Sequence, residues 1–564
     1  MPSDDLTPPT VHVAELKDML GKAGGFRLDP LLIIVVLAAF ISRLVAALQS
    51  FDFLITYSFI PDDAFYYADI ARNILAGKGV TYDGLAPTNG FHPLHLVLIL
   101  PLFAVFGKFA AVHAVLALAA VYDAVTTFFI YRVTRNLTGR RNASLAAAAF
   151  FALNPIFMNV TINGLETALS LMMVAALFYA FVAWRDEMTL KRAVIFGILA
   201  GLMMLARTDN VMFFILFLLA MVLPGRGRRR ILTPLVCGLV ATAVMAPWLI
   251  WNLSQFGEIL QVSGKASPWV IRTQFEMTEG AAGASATTHS AKIFLNHIFG
   301  KTLKYTGFGK GFCLLLTFAL ILPWFLPSDK RKRHWRACGF LLIPLLFILS
   351  LVTVHAGIRW FMMAWYFGPM TFASSVFLGI VLALICEIIA HYRERKTVVE
   401  TGISPEAGKL FIIITVAVLF VFSLFYSWKH FTIRAPAWME MAKLVKSATP
   451  ADARIGAFNS GVVGYFSERH TVNLDAVVNN EAYNSLVEGR FIEYIRKAEI
   501  DYIADMKEFF MRFDIAADGK LVPVLELVCS QEIYYNPGKP DRITTLDIYR
   551  VLPPRAGAPG PKKP

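Results

Sequence analysis

Apolar runs about as long as a bilayer crossing recur between residues 31 and 425 and then stop. A hydrocarbon core about 30 Å thick takes about 20 mostly apolar residues per helix. Backbone polar groups can be satisfied there only inside a helix or a closed barrel. The pattern therefore predicts a polytopic α-helical membrane protein. Composition agrees, with 57% of the 564 residues hydrophobic and 16% charged, and a mean hydropathy of +0.57, well beyond an ordinary soluble chain.

A net charge of +13 would suggest nucleic acid in a soluble protein. Here the basic residues sit in short loops between apolar runs, which is the positive-inside pattern, and no nucleic-acid partner is expected. With a cytoplasmic N-terminal segment (1–30), the run 31–48 leaves the membrane as a retained anchor, because no small-residue cleavage site follows it. The segments RVTRNLTGRR, WRDEMTLKR, GRGRRR, SDKRKRHWR and HYRERK then all lie inside, provided that 94–106 does not cross. That run is only about 13 residues long and reads as a re-entrant or surface-lying helix.

Further spans are expected near 110–131, 143–160, 167–184, 193–207, 211–223, 231–251, 311–326, 338–354, 367–389 and 410–427. That makes about eleven crossings, with the C-terminus outside. The expected organisation is a transmembrane domain over 31–428 with a first external loop at 49–93 and a second long stretch at 252–310. An external mixed α/β domain follows over 429–553, on the periplasmic side of a bacterial inner or plasma membrane, then a disordered tail, 554–564. Of the five cysteines only Cys529 lies outside the apolar region, which leaves no internal disulfide for that domain, and no Cys or His spacing suggests zinc.

The first external loop reads PDDAFYYADIARNILAGKGVTYDGLAPTNGFHPLH. Its opening has helical composition, so Asp62 has a plain structural use as a helix cap. Two adjacent carboxylates, Asp62 and Asp63, also repel each other unless a metal ion or a cationic or proton-donating partner relieves them. His92 opens the short apolar helix, where it either contacts phosphate or simply caps and faces solvent. On the same external side fall Glu166 in TINGLETAL, Arg207 and Asp209 in ARTDN, Lys265 in the second long stretch, and His355 and Arg359 in HAGIRWFMMAWYFGP. Each alone can be a helix-terminal or interfacial residue. Together they put acidic and basic groups around one external cavity. That suits a lipid-linked phosphate whose chain stays in the bilayer while cations neutralise its head and a carboxylate handles a proton.

The string PDDAFYYADIARNIL resembles the first-loop motif of the C-type (GT-C) membrane glycosyltransferases, which use polyprenyl-phosphate sugars. Aminoarabinose transferases and protein O-mannosyltransferases show the same Pro, Asp, acidic residue, aromatic residue and A-[DE]-I-A-R order. The TNGFHPL segment at 88–94 is similar to arabinofuranosyltransferase-like sequences, with His92 standing where other relatives carry a phosphate-contacting Lys. The segments around Glu166 and Arg207 and the stretch 359–369 also look like this superfamily. The resemblance implies a GT-C-like fold and transfer of a sugar from a polyprenyl-phosphate donor to an acceptor hydroxyl, by single displacement with inversion. The acceptor would be a cell-envelope glycan, a glycolipid or a protein. It further implies Asp62 as general base, with Asp63 as its partner, and phosphate or substrate contacts from His92, Arg207, Lys265, Arg359 and Glu166. A divalent cation (Mg²⁺, Mn²⁺ or Ca²⁺) would be held by Asp63 and Glu166.

The competing class is a transporter or flippase, which places ionisable residues near the midplane. Arg43 and Asp123 are the candidates, and no internal repeat accompanies them. Counting about 1.5 Å per residue puts Arg43 nearer the external face than Asp123, so a direct pair is not expected. In the C-terminal domain, RIGAFNSGVVGYFSERHTVNLD reads as strand, turn with a short helix, and strand. Gly456, Gly461 and Gly464 do not have dinucleotide-fingerprint spacing and read as a tight turn. Helices over EAYNSLVEG and FIEYIRKAE, a strand over IDYIAD, and β-rich LVPVLELV and TTLDIYRVL complete it. The domain is expected to bind acceptor or roof the site.

Overall fold

The computed structural model describes residues 29–222, 229–279, 283–396, 418, 421–426, 437–534 and 543–554. The expected cytoplasmic segment and tail, and most of the expected span 410–427, lie outside the described residues. Among the described residues six helices are long and apolar enough to cross a membrane: Pro30–Ala47, Lys108–Thr138, Thr167–Glu187, Ile231–Phe256, Ser328–Gly357 and Ala364–Tyr392. A seventh is gained if Arg141–Leu153 and Pro155–Thr161, bent by 63° at their junction, count as one span. The bend follows from Pro155, which drives Asn154 out of helical backbone (φ −82, ψ 118). Expected spans beginning near 193, 211 and 311 fall on shorter helices, Leu190–Ala206, Thr208–Val222 and Gly311–Phe325. Pro93–Val105 is a helix of 13 residues, about 20 Å long.

One expectation is corrected. Arg43 and Asp123 do pair, with Arg43 Nε 2.8 Å from Asp123 Oδ2 and both side chains buried. The Lys108–Thr138 helix has 31 residues, about 46 Å, and so projects well past the bilayer. Its His113 meets the carbonyl of Ala47, at the end of the first helix, at 2.7 Å. Side chains lean toward the N-terminus of their own helix. On two antiparallel helices Arg43 and Asp123 therefore lean toward each other and close the offset. Arg43 also donates to the carbonyls of Phe151 (2.9 Å) and Ala152, which the helix break at Asn154 leaves without intrahelical partners. Thr161 adds a hydrogen bond to Asp123 at 2.5 Å.

The C-terminal domain carries a five-stranded sheet in the order β2-β1-β3-β5-β4. Its strands are β1 (Arg454–Ala457), β2 (His470–Asn473), β3 (Tyr502–Met506), β4 (Leu525–Tyr534) and β5 (Ile543–Val551). β1 lies parallel to β2 and β3, and β3-β5-β4 is antiparallel. The short helix Ser460–Phe466 links β1 to β2 and carries Gly461 and Gly464. It faces the membrane body: Tyr465 hydrogen-bonds the carbonyl of Lys108, and Phe466 stacks on Phe109 with centroids 5.7 Å apart. The projecting end of a membrane helix thus becomes a seat for the domain.

Candidate active site

Asp62 stands at the N-cap position of the Asp63–Leu75 helix, yet its side chain makes no capping hydrogen bond. Its carboxylate instead accepts the backbone N–H groups of Gly461 (3.0 Å) and Val462 (2.6 Å) and the hydroxyl of Tyr66 (2.9 Å). Gly461 is required by contact, since a Cβ there would lie 2.1 Å from the carbonyl oxygen of Asp62. Burial pushes the Asp62 carboxyl upward while these three donors work against it, and the net shift is upward. Asp62 therefore acts as a clasp between the loop after the first helix and the C-terminal domain.

Asp63 is different. It is half-buried, and among the described residues its carboxylate has no hydrogen bond or ion pair with another side chain. Burial, then the charges of Asp62 and Glu166, push it up to about 7. A carboxyl with that value exchanges a proton near neutrality, as a general base must.

Glu166 is held beside it by the local turn. Asn163 Oδ1 accepts the N–H of Leu165 at 3.0 Å, and Gly164 takes a left-handed φ of 72 with space for a Cβ only 3.1 Å from Ala64 of the first-loop helix. Arg207 Nη1 donates to Glu166 Oε1 at 2.8 Å, and the Tyr67 hydroxyl donates to Glu166 Oε2 at 2.9 Å. Burial alone would raise Glu166; His92 and the Arg207 guanidinium outweigh it, leaving the carboxyl below its ordinary value. Arg207 Nε also contacts both Asp209 oxygens at 2.9 Å, and its guanidinium lies 4.4 Å over the Tyr366 ring. His92 Nδ1 accepts the N–H of Thr208 at 3.3 Å. Its proton then sits on Nε2, 3.7 Å from Glu166. Burial holds His92 below its usual range. Arg207, Asp209, Tyr366 and Trp365 line a small cavity.

The structure thus brings Asp62, Asp63, His92, Glu166 and Arg207 together and leaves two expected members elsewhere. Lys265 pairs with Glu258 and lies 4.9 Å over the ring of Tyr483 in the C-terminal domain. Arg359 follows the Leu342–Gly357 helix in left-handed backbone (φ 58) and is not among the main charges acting on Asp63 or Glu166. Asp63 and Glu166 do not make the expected metal site. Glu166 is engaged by Arg207 and Tyr67, and no group of three or more His, Cys, Asp or Glu among the described residues could hold an ion.

Asp475 was not singled out from the sequence. It follows β2, accepts the N–H of Val477 at 2.9 Å, and its other oxygen is 3.4 Å from the Tyr66 hydroxyl. Burial pushes it well above the usual carboxylate range, with Asp63 and Asp62 adding to the effect. Its only signal is an acidic residue within the otherwise uncharged run TVNLDAVVNN, which a turn explains equally well.

Residues 91–251 match the family described as dolichyl-phosphate-mannose-protein mannosyltransferase, and residues 427–543 match a domain of unknown function. The archaeal oligosaccharyltransferase AglB from Archaeoglobus fulgidus, solved with an inhibitory peptide and a dolichol-phosphate, aligns with a TM-score of 0.54 at 13% identity over 94% of this chain and 74% of that one. ArnT from Cupriavidus metallidurans aligns in its apo state with a TM-score of 0.52 at 12% identity, over 91% of this chain and 97% of its own. The same enzyme bound to undecaprenyl phosphate gives 0.51 at 11% identity, with the same coverage. No curated protein matches the chain in sequence.

Proposed function

We propose that this chain, a GT-C membrane glycosyltransferase by its fold and its mannosyltransferase-family segment, moves a sugar from a polyprenyl-phosphate donor to an acceptor hydroxyl on the external face, with Asp63 as general base. The observation that carries the assignment is the contrast between neighbours. Asp62, the base implied by the first-loop resemblance, has both oxygens occupied by Gly461, Val462 and Tyr66. Asp63 is unpaired and poised at about 7.

In the proposed step Asp63 takes the proton of the acceptor hydroxyl. The acceptor oxygen forms its bond to the anomeric carbon as the bond from that carbon to the phosphate oxygen breaks, and the electron pair leaves with the polyprenyl phosphate. A single displacement inverts the anomeric centre. Glu166, fixed by Arg207 and Tyr67, keeps a negative charge beside Asp63 and so maintains its basicity. Arg207 is already shared by two carboxylates, and we assign it to holding them. No step runs through a metal.

The same reading keeps the N-terminus cytoplasmic and the C-terminal domain outside a bacterial plasma membrane, with the shorter apolar helices counting toward eleven crossings. The transporter alternative loses its main support, since Arg43 and Asp123 are tied to each other and to the helix break. The test is transfer from a radiolabelled polyprenyl-phosphate sugar in vesicles. Asp63→Asn should abolish transfer while Asp62→Asn retains part of it, and the reverse order would return the base to Asp62.

A further inference from the structure

A second, larger cavity opens beside Pro61, the residue before the aspartate pair. Phe59, Tyr305, Trp365 and Trp438 give it aromatic walls, and Asn159 and Asn163 supply amides. The aromatic rings are fixed from behind: Phe59 stacks on Phe53 with centroids 5.9 Å apart, and Tyr305 on Phe367 at 4.9 Å. Trp438 comes from the Ala437–Ala448 helix of the C-terminal domain. Among the described residues its buried indole nitrogen has no hydrogen-bond partner.

Other polar atoms are also unspent among the described residues. Asn159 uses its amide nitrogen on the carbonyls of Tyr57 and Ser58, and its amide oxygen accepts nothing. The hydroxyl of Ser58, in left-handed backbone at φ 56, makes no hydrogen bond. Trp365 also lines the smaller cavity that contains Arg207 and Asp209. The two cavities therefore share a wall, one carrying charged groups and the other aromatic faces and amides.

The geometry points to the larger cavity as the acceptor site and to a saccharide as the acceptor, its ring lying against Trp438. This inference rests on the transferase reading above. Sugar rings present C–H faces that pack on flat aromatic rings and hydroxyls that need donors and acceptors at the edges. Aromatic walls with unspent N–H, amide oxygen and hydroxyl groups meet both needs. A lipid tail would leave those polar groups unpaired. A phosphate would call for more positive charge than Lys304, the one charged lining residue described. Pro61, two residues before Asp63, lines this cavity.

The test uses full-length Asp63→Asn protein in detergent, where turnover cannot consume ligand. It is titrated with neutral arabinan, mannan, galactan and glucan fragments, with undecaprenyl phosphate and with a serine-containing peptide, and binding is read by calorimetry and saturation-transfer NMR. We expect at least one oligosaccharide series to bind. Trp438→Ala should weaken that binding by about tenfold or more, Trp438→Phe, which keeps the ring and loses the N–H, by about threefold, and undecaprenyl phosphate binding should not change. If Trp438→Ala fails to fold, Trp438→Phe decides. The inference is overturned if no oligosaccharide binds, if the peptide binds in their place, if the Trp438 variants bind sugar as the parent does, or if undecaprenyl phosphate competes for the site. Retained transfer by Asp63→Asn would instead sink the base assignment and leave the binding result standing.

Discussion

The membrane body and the seam beneath the C-terminal domain treat buried charge in opposite ways. In the body, Arg43 and Asp123 neutralise each other and tie a broken helix to its neighbours. In the seam, Asp62, Asp63, Glu166 and Asp475 come together with Arg207 as the cation that pairs with one of them. A balanced pair holds structure. An excess of carboxylates raises the proton affinity of its members, Asp475 and Asp63 among them, and of these Asp63 has no side-chain partner among the described residues.

The contrast can be broken most sharply at Asp63. Asp63→Asn should lower transfer by about 10²–10⁴-fold, the usual worth of a general base, with no change in melting temperature; a stability loss with transfer intact would make the seam purely structural. Next comes the body. Removing one partner of the buried pair, as in Asp123→Ala, should cost about 3–5 kcal/mol, whereas replacing both Arg43 and Asp123 with apolar residues should restore most of it. Thermal unfolding in detergent measures both, and loss of transfer at full stability in either variant would revive a functional role for the pair.

Asp62→Asn should weaken the clasp by about 1.5–3 kcal/mol, the worth of hydrogen bonds to a charged group. Faster hydrogen exchange in the Ser460–Phe466 helix, with the strands unaffected, is the expected readout. The smallest effect is on pH. The base must be deprotonated, so transfer should fall about tenfold per pH unit below the Asp63 value of about 7 and level off above it. A flat profile from pH 5 to 8 would remove Asp63 from proton transfer.

Much of the framework was legible before any coordinates. The long apolar helices, the 13-residue Pro93–Val105 helix and the strand, helix, strand order around Gly461 follow from local pattern and length, which need no partner to be read. Arg43 and Asp123 were visible as unusual residues, but counting along one helix could not reveal that its neighbour projects beyond the bilayer. Asp475 gave almost no signal, because a lone acidic residue after a strand resembles any turn. Lys265 and Arg359 looked equivalent to Arg207 in sequence, yet only Arg207 pairs with Glu166.

By itself, the sequence determined that a bilayer is this chain's main solvent, that an acidic helix begins in the loop after the first apolar helix, and that an α/β domain follows the last apolar run. These depend on hydrophobicity and periodicity, which are properties of adjacent residues. Only the tertiary structure decided which aspartate is bound and which is left without a side-chain partner among the described residues. The N–H groups that occupy Asp62 belong to Gly461 and Val462, 399 and 400 residues further along, and no local pattern carries that distance.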